Sequence, residues 1–236
     1  MPALGFGTYL LTGDACHSAV LAALRAGYRA IDTAAGYLNE AQVADALEES
    51  GLRREEVFIA SKLWSDSHGT EATRRAIRNT LRRLRTPYLD LYLIHAPDNQ
   101  GAAAEEIVEL RRQSWLVMEE EYRKGTLRDI GVCNFEARHI EQLLQWGTVT
   151  PAVNQVECHP YLQQRELSAY CASKVPRTLQ LHPPSCTPTQ LHPSAAPLGY
   201  SPRLLPWAQT LLHRASHAGC RRRGLRHAGR RRPARR

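Results

Sequence analysis

GYRAIDTAAGYLNE, residues 27–40, carries a glycine stop, a short apolar run closing on Asp32, and a tyrosine, Tyr37, in the turn that follows. The same layout recurs along the chain. VFIASKLW (57–64) is an apolar run with Lys62 near its end, and LDLYLIHAP (89–97) is one that closes on His95. Near-continuous apolar runs of this length are typical of parallel strands covered on both faces. In a barrel of such strands, the strand ends gather on one rim, which is where chemistry is found in that architecture.

Working outward gives six strand candidates: Leu4–Thr8, Tyr28–Thr33, Val57–Leu63, Leu89–His95, Leu127–Asn134 and Ala152–Val156. Segments of helical periodicity separate them. Asp14 is positioned to cap a first helix that stops at Gly27, and Asn39 starts a second that ends at Gly51. Thr70 precedes a third, with an apolar stripe of Ala72, Ala76, Ile77, Leu81 and Leu84. A fourth runs from about Ala103 to Lys124, a fifth ends at Gly147, and a sixth begins near Gln164 and runs out at Lys174. Strand–helix alternation of this kind builds a parallel sheet with right-handed crossovers. The expected fold is an α/β barrel of the (β/α)8 type, with six of its eight units recognisable.

Asp32, Tyr37, Lys62 and His95 form a complementary set. A phenol is a poor acid at neutral pH. An ammonium within hydrogen-bond distance favours the phenolate, so Lys62 is expected to lower the Tyr37 pKa. A buried lysine tends to lose its own proton, which Asp32 would prevent. His95 could donate a hydrogen bond to a carbonyl oxygen and orient it against the phenol. Taken singly, each residue has an ordinary role: a capping acid, a loop aromatic, a surface charge, a core histidine. Four complementary groups on successive strand ends are far harder to place by chance. The set can protonate a developing alkoxide, but the hydride must come from a carrier such as nicotinamide.

GYRAIDTAAGYLNE resembles the first signature of the aldo-keto reductase family, and DIGVCNF (129–135) is similar to the second. ASKLW (60–64), LDLYLIHAP (89–97) and PAVNQVECHPY (151–161) resemble its lysine, histidine and sixth strands. The likeness runs in register from about Met1 to Lys174. It implies a metal-free barrel that reduces aldehydes and ketones with NADPH, with Tyr37 as proton donor, Lys62 and Asp32 tuning it, and His95 orienting the substrate. By the same resemblance, Asn134 and Gln155 grip the nicotinamide carboxamide. Cys133 stands where the family usually has serine. Gly7, Thr8 and Tyr9 line the nicotinamide end, Trp64 forms a substrate wall, and Ala96 replaces a frequent tryptophan and widens the pocket.

Charge divides the chain in two. All 23 acidic residues lie in 1–174, where they outnumber the basic ones by four. Residues 175–236 hold 12 arginines, no lysine and no acid, so the net charge of +8 belongs to the tail. Two domains are therefore expected: an incomplete barrel (1–174) and a basic Pro/His/Arg-rich tail (175–236) that stays disordered. Pro176, Pro183 and Pro184 leave little room for a ladder around Val175–His182, so strands one and six are expected as bare edges. The switch of composition is what a shifted reading frame would give, and GYSP (199–202) is at most a remnant of the family's stacking turn. Arginines without interleaved aromatics give no expectation of a nucleic-acid partner. No apolar run is long enough to span a bilayer, and the six cysteines have no metal-ligand spacing. The expectation is a reduced, cytoplasmic, monomeric protein acting on a small-molecule carbonyl. The alternative is a non-catalytic truncated member of the family with impaired coenzyme binding.

Overall fold

The computed structural model describes residues 1–98, 103–175 and 178–181. Its strands are β1 (Phe6–Gly7), β2 (Ala30–Asp32), β3 (Phe58–Leu63), β4 (Leu91–Ile94), β5 (Ile130–Cys133), β6 (Asn154–Glu157) and β7 (Thr178–Leu181). They form one parallel sheet in sequence order. Among the described residues six α-helices connect them: α1 (Gly13–Arg25), α2 (Glu40–Ser50), α3 (Thr70–Arg83), α4 (Ala104–Arg123), α5 (Ala137–Trp146) and α6 (Arg165–Lys174). All six expected strand–helix units form.

The seventh strand corrects the expectation for Val175–His182. Thr178–Leu181 pairs with β6 from Asn154↔Thr178 to Glu157↔Leu181. The reason lies in the spacing of the prolines, which fall at 176 and 183 in the sequence and leave six residues with intact N–H groups between them, enough for the four that pair. Strand β6 is consequently not an edge, and the outer strands among the described residues are β1 and β7. The remainder of the tail, GYSP included, lies outside the described residues. Asp14 is a smaller correction. Helix α1 is capped at Thr12, and Asp14 sits inside its first turn, where a carboxylate favours the helix dipole without accepting a capping bond.

Period-two alternation sorts the sheet into two faces. Ile31, Ile59, Leu63, Tyr92, Ile94, Ile130 and Val132 point outward and join the helices in the main core. Ala60, Leu91, Leu93, Cys133 and Val153 form a second, inner cluster. Continuing the inner rows toward the strand ends reaches Asp32, Lys62, His95, Cys133 and Gln155. One parity of the pleat therefore gathers five of the polar residues singled out in the sequence.

The sheet is strongly curled. Four strand spacings separate β2 from β6, about 19 Å if the sheet were flat. Yet the Gln155 Nε2 on β6 donates to the Asp32 Oδ1 on β2 at 3.3 Å. Only the inside of a barrel wall brings these side chains together.

On the outside, Glu119 of α4 anchors the turn before β6. Its carboxylate accepts from the Trp115 indole at 3.0 Å and from the Thr148 and Val149 backbone N–H groups at 2.7 and 2.9 Å. The Thr148 hydroxyl and Arg123 donate to its other oxygen, each at 2.8 Å. Burial pushes the Glu119 carboxyl up, but these donors outweigh it and hold its pKa below the ordinary 4.5. The folded pKa is thus depressed, so the stabilisation is complete above the ordinary carboxylate range and is lost as pH falls through it. Glu119→Ala strands an indole and two backbone donors and should cost about 3 kcal/mol in urea unfolding at pH 7. The gap to wild type should narrow on acidification.

Candidate active site

Lys62 organises the inner rim. It is 1% exposed, and its Nζ donates to Asp32 Oδ2 at 2.6 Å, the Thr33 carbonyl at 3.0 Å and the Tyr37 hydroxyl at 3.5 Å. Burial pulls the Lys62 pKa down, but the opposing effects, led by the Asp32 charge and including its hydrogen bond, more than offset this, so the ammonium is retained. Asp32 therefore keeps Lys62 charged, as the sequence suggested.

Tyr37 departs from expectation. Burial pushes the phenol above its ordinary value near 10, and the opposing pull of Lys62 is the weaker effect. The lowered pKa read from sequence is not found. Water withdrawn from a phenolate outweighs one ammonium already paired with a carboxylate. The phenol is firmly protonated, which suits a donor and not a base.

His95 meets Tyr37 edge-on, with ring centroids 5.5 Å apart, and Trp64 also edge-on, at 4.9 Å. Burial and the Lys62 charge hold the His95 pKa well below 6.5, so the ring is neutral at physiological pH. Its Nδ1 is buried with no hydrogen-bond partner among the described residues. Tyr9 completes the aromatic group, 5.0 Å from Tyr37. Ala96, next to His95, is half-buried.

A second set of side chains adjoins the first. The Asn134 Nδ2 donates to the His95 carbonyl at 3.0 Å and to Cys133 Sγ at 3.2 Å. The Cys133 thiol, pushed up to about 12 by burial, donates to Gln155 Oε1 at 3.6 Å. Asn134 adopts a left-handed backbone, φ 60°, a conformation asparagine tolerates better than most residues. This turns the chain sharply out of β5.

Thr8 adjoins the backbone of Asp32. Its hydroxyl is fully buried, 3.2 Å from the Asp32 carbonyl and 3.3 Å from Asn39 Oδ1. Gly7 is a buried member of β1, in register with Asp32.

Two residues of the site were missed in the sequence. Asn39 looked like a helix start and does precede α2, but its side chain makes no cap bond. Instead Oδ1 accepts from the Thr33 hydroxyl at 2.8 Å, and Nδ2 donates to the Thr8 and Leu11 carbonyls, each at 2.8 Å. It thereby ties the turn carrying Tyr9 to the turn carrying Tyr37. Gly36 was not singled out. A Cβ there would lie 2.1 Å from the Trp64 ring, so the glycine makes room for the indole. Its neighbour Tyr37 is a sequence signal for the catalytic turn, but no spacing rule reports a contact with residue 64.

Among the described residues no group of His, Cys, Asp and Glu could hold a metal. The donor set does fit a primary amide. Among the described residues Gln155 keeps one N–H to give and Asn134 keeps its carbonyl oxygen to accept, the complement of a carboxamide. No helix of the described residues is long and apolar enough to cross a membrane.

A family model described as "Aldo/keto reductase family" matches residues 3–176. Glyoxal reductase of Bacillus subtilis (strain 168) is 44% identical over 172 residues, 72% of this chain and 59% of that protein. Among solved structures, an aldo/keto reductase from Brucella melitensis superposes with a TM-score of 0.68 at 39% identity, covering 73% of this chain and 65% of that one. The Bombyx mori aldo-keto reductase in complex with NADP gives 0.67 at 31% identity, covering 76% and 62%. The present chain thus spans less than two thirds of the length of these relatives.

The contact at Gly36 yields a test. Gly36→Ala forces Trp64 off His95, an overpacking cost of about 1–3 kcal/mol. Tryptophan fluorescence should report the displaced indole, and unchanged emission and stability would contradict the contact.

Proposed function

Because this chain belongs to the aldo/keto reductase family, we propose that it reduces aldehydes or ketones to alcohols with NADPH, using Tyr37 as the proton donor. The observation that carries this reading is the Lys62–Asp32 pair beneath a protonated phenol that faces a neutral imidazole. When bound, the reduced nicotinamide supplies the hydride, which no side chain can provide. The chain's own residues do the rest. His95 donates a hydrogen bond to the carbonyl oxygen and turns it toward Tyr37. As negative charge develops on that oxygen, the Tyr37 O–H proton passes to it, and the phenolate left behind lies beside the Lys62 ammonium. Asp32 keeps that ammonium charged, so the pair lowers the energy of the phenolate at the moment it forms.

Asn134 and Gln155 would hold the carboxamide by the complementarity described above, with Cys133 as their hydrogen-bonded link. Tyr9 and Gly7 would adjoin the ring. Trp64 and Ala96 would flank the substrate, the alanine leaving more space than a larger side chain. The glyoxal reductase of B. subtilis supports a small aldehyde as substrate, and the NADP bound by the B. mori protein supports NADPH as coenzyme.

A second reading follows from coverage. A chain that matches only about 60% of its relatives' length could keep the proton chemistry and lack coenzyme affinity, making it a non-catalytic member of the family. Binding separates the two: quenching of tryptophan fluorescence by NADPH supports the reductase, and no quenching at high micromolar NADPH supports the other.

Purified protein should oxidise NADPH in the presence of a reactive aldehyde. Tyr37→Phe should lower kcat by about 10²–10⁴-fold, the usual contribution of a positioned acid. With His95 neutral throughout, kcat should show no acid limb near pH 6.5. A limb there that vanishes in His95→Gln would overturn the assigned role of that histidine.

A further inference from the structure

Asp32 has two oxygens, and the mechanism above uses one. Oδ2 accepts from Lys62, while Oδ1 accepts from Gln155 Nε2, which reaches it from the far side of the barrel. The orientation of the Gln155 amide is forced. An ionised carboxylate only accepts, so the amine end must face Asp32. The carbonyl end then faces Cys133, whose protonated thiol is the donor required there. Asn134 donates to the same sulfur and to the His95 carbonyl. One hydrogen-bonded relay therefore runs from His95 through Asn134, Cys133, Gln155, Asp32 and Lys62 to Tyr37, and no member can flip without stranding a neighbour.

We propose that Gln155 is a positioning residue for the proton donor as well as a carboxamide grip. It holds the free oxygen of Asp32 and so sets how strongly that carboxylate draws on Lys62. This extends the reading above, on which it rests for the carboxamide. The physical basis is that a hydrogen bond to one carboxylate oxygen withdraws charge from the other. With Gln155 engaged, Lys62 is shared between Asp32 and Tyr37. With Gln155 drawn away, Asp32 takes a larger share of the ammonium and the phenol proton is held harder. Gln155 is 2% exposed, so water cannot readily replace its N–H. Because the same amide would meet the carboxamide, coenzyme binding and proton donation are coupled through one side chain.

The test uses the full chain without ligand. The 15Nζ signal of Lys62, identified by its loss in Lys62→Met, should move in Gln155→Met while the rest of the spectrum stays native. Added NADPH should move that signal in wild type and not in Gln155→Met. If Gln155→Met does not fold, Cys133→Ala removes the donor holding the Gln155 carbonyl and should move the signal in the same sense by less. A Lys62 signal indifferent to both substitutions overturns the proposal. A signal that moves on substitution but not with bound NADPH overturns the coupling. Failure of NADPH to bind, with the substitution effect intact, removes the reductase reading and leaves the Gln155 clamp standing. In an active enzyme, Gln155→Met should also lower kcat beyond its effect on the KM for NADPH, since a grip alone would change KM.

Discussion

A lysine ammonium with almost no solvent exposure is the constraint on which this structure turns. Taking such an ion out of water costs several kcal/mol even after relaxation. Lys62 recovers that cost from a carboxylate, a backbone carbonyl and a phenol. Two of these come from β2 and its end, and the third from the turn after it. The register Asp32↔Ala60 places Lys62 one inner position beyond its partner strand, which is the offset the side chain needs to reach back. The turn must then present Tyr37, and it is Asn39, two residues on, that fixes the turn to the end of β1. Loss of any of these elements would leave a charge without compensation.

Burial does more here than pair charges. It settles three protonation states at once: the phenol and thiol are held protonated, and the imidazole neutral. Only Lys62 is charged upward against burial, because a carboxylate is 2.6 Å away. The Tyr37 proton thus lies beside a cation placed to receive the resulting phenolate. An acid that is too weak in the resting state is consistent with this chemistry. The proton need leave only when a stronger base, the developing alkoxide, is in place.

Much of this was legible in the sequence, because strand ends and helix stops are local signals. The six strands and the four groups Asp32, Tyr37, Lys62 and His95 follow from apolar runs closing on polar residues. What escaped was non-local. Thr178–Leu181 is four residues between prolines, and only a waiting edge on β6 makes it a strand. Asn39 has the look of a cap because its sequence position is that of a cap, and nothing local reveals carbonyls 28 and 31 residues away. The Tyr37 pKa was misjudged by weighing the ammonium without the depth of the site. Depth is a property of the curled sheet, and no single motif encodes it.

The position of β7 bears directly on how much of the site is secure. Gln155 lies on β6, and with β7 alongside, that strand is hydrogen-bonded on both sides. Its backbone is therefore held as firmly as that of β3, which carries Lys62. Every strand supplying a member of the relay from His95 to Tyr37 has a neighbour on each side, since β1 flanks β2. The proton-handling half of the site is thus supported from β1 to β7. A short edge element such as β1, two residues long, carries no member of the relay. The chemistry is placed on the strands least free to shift.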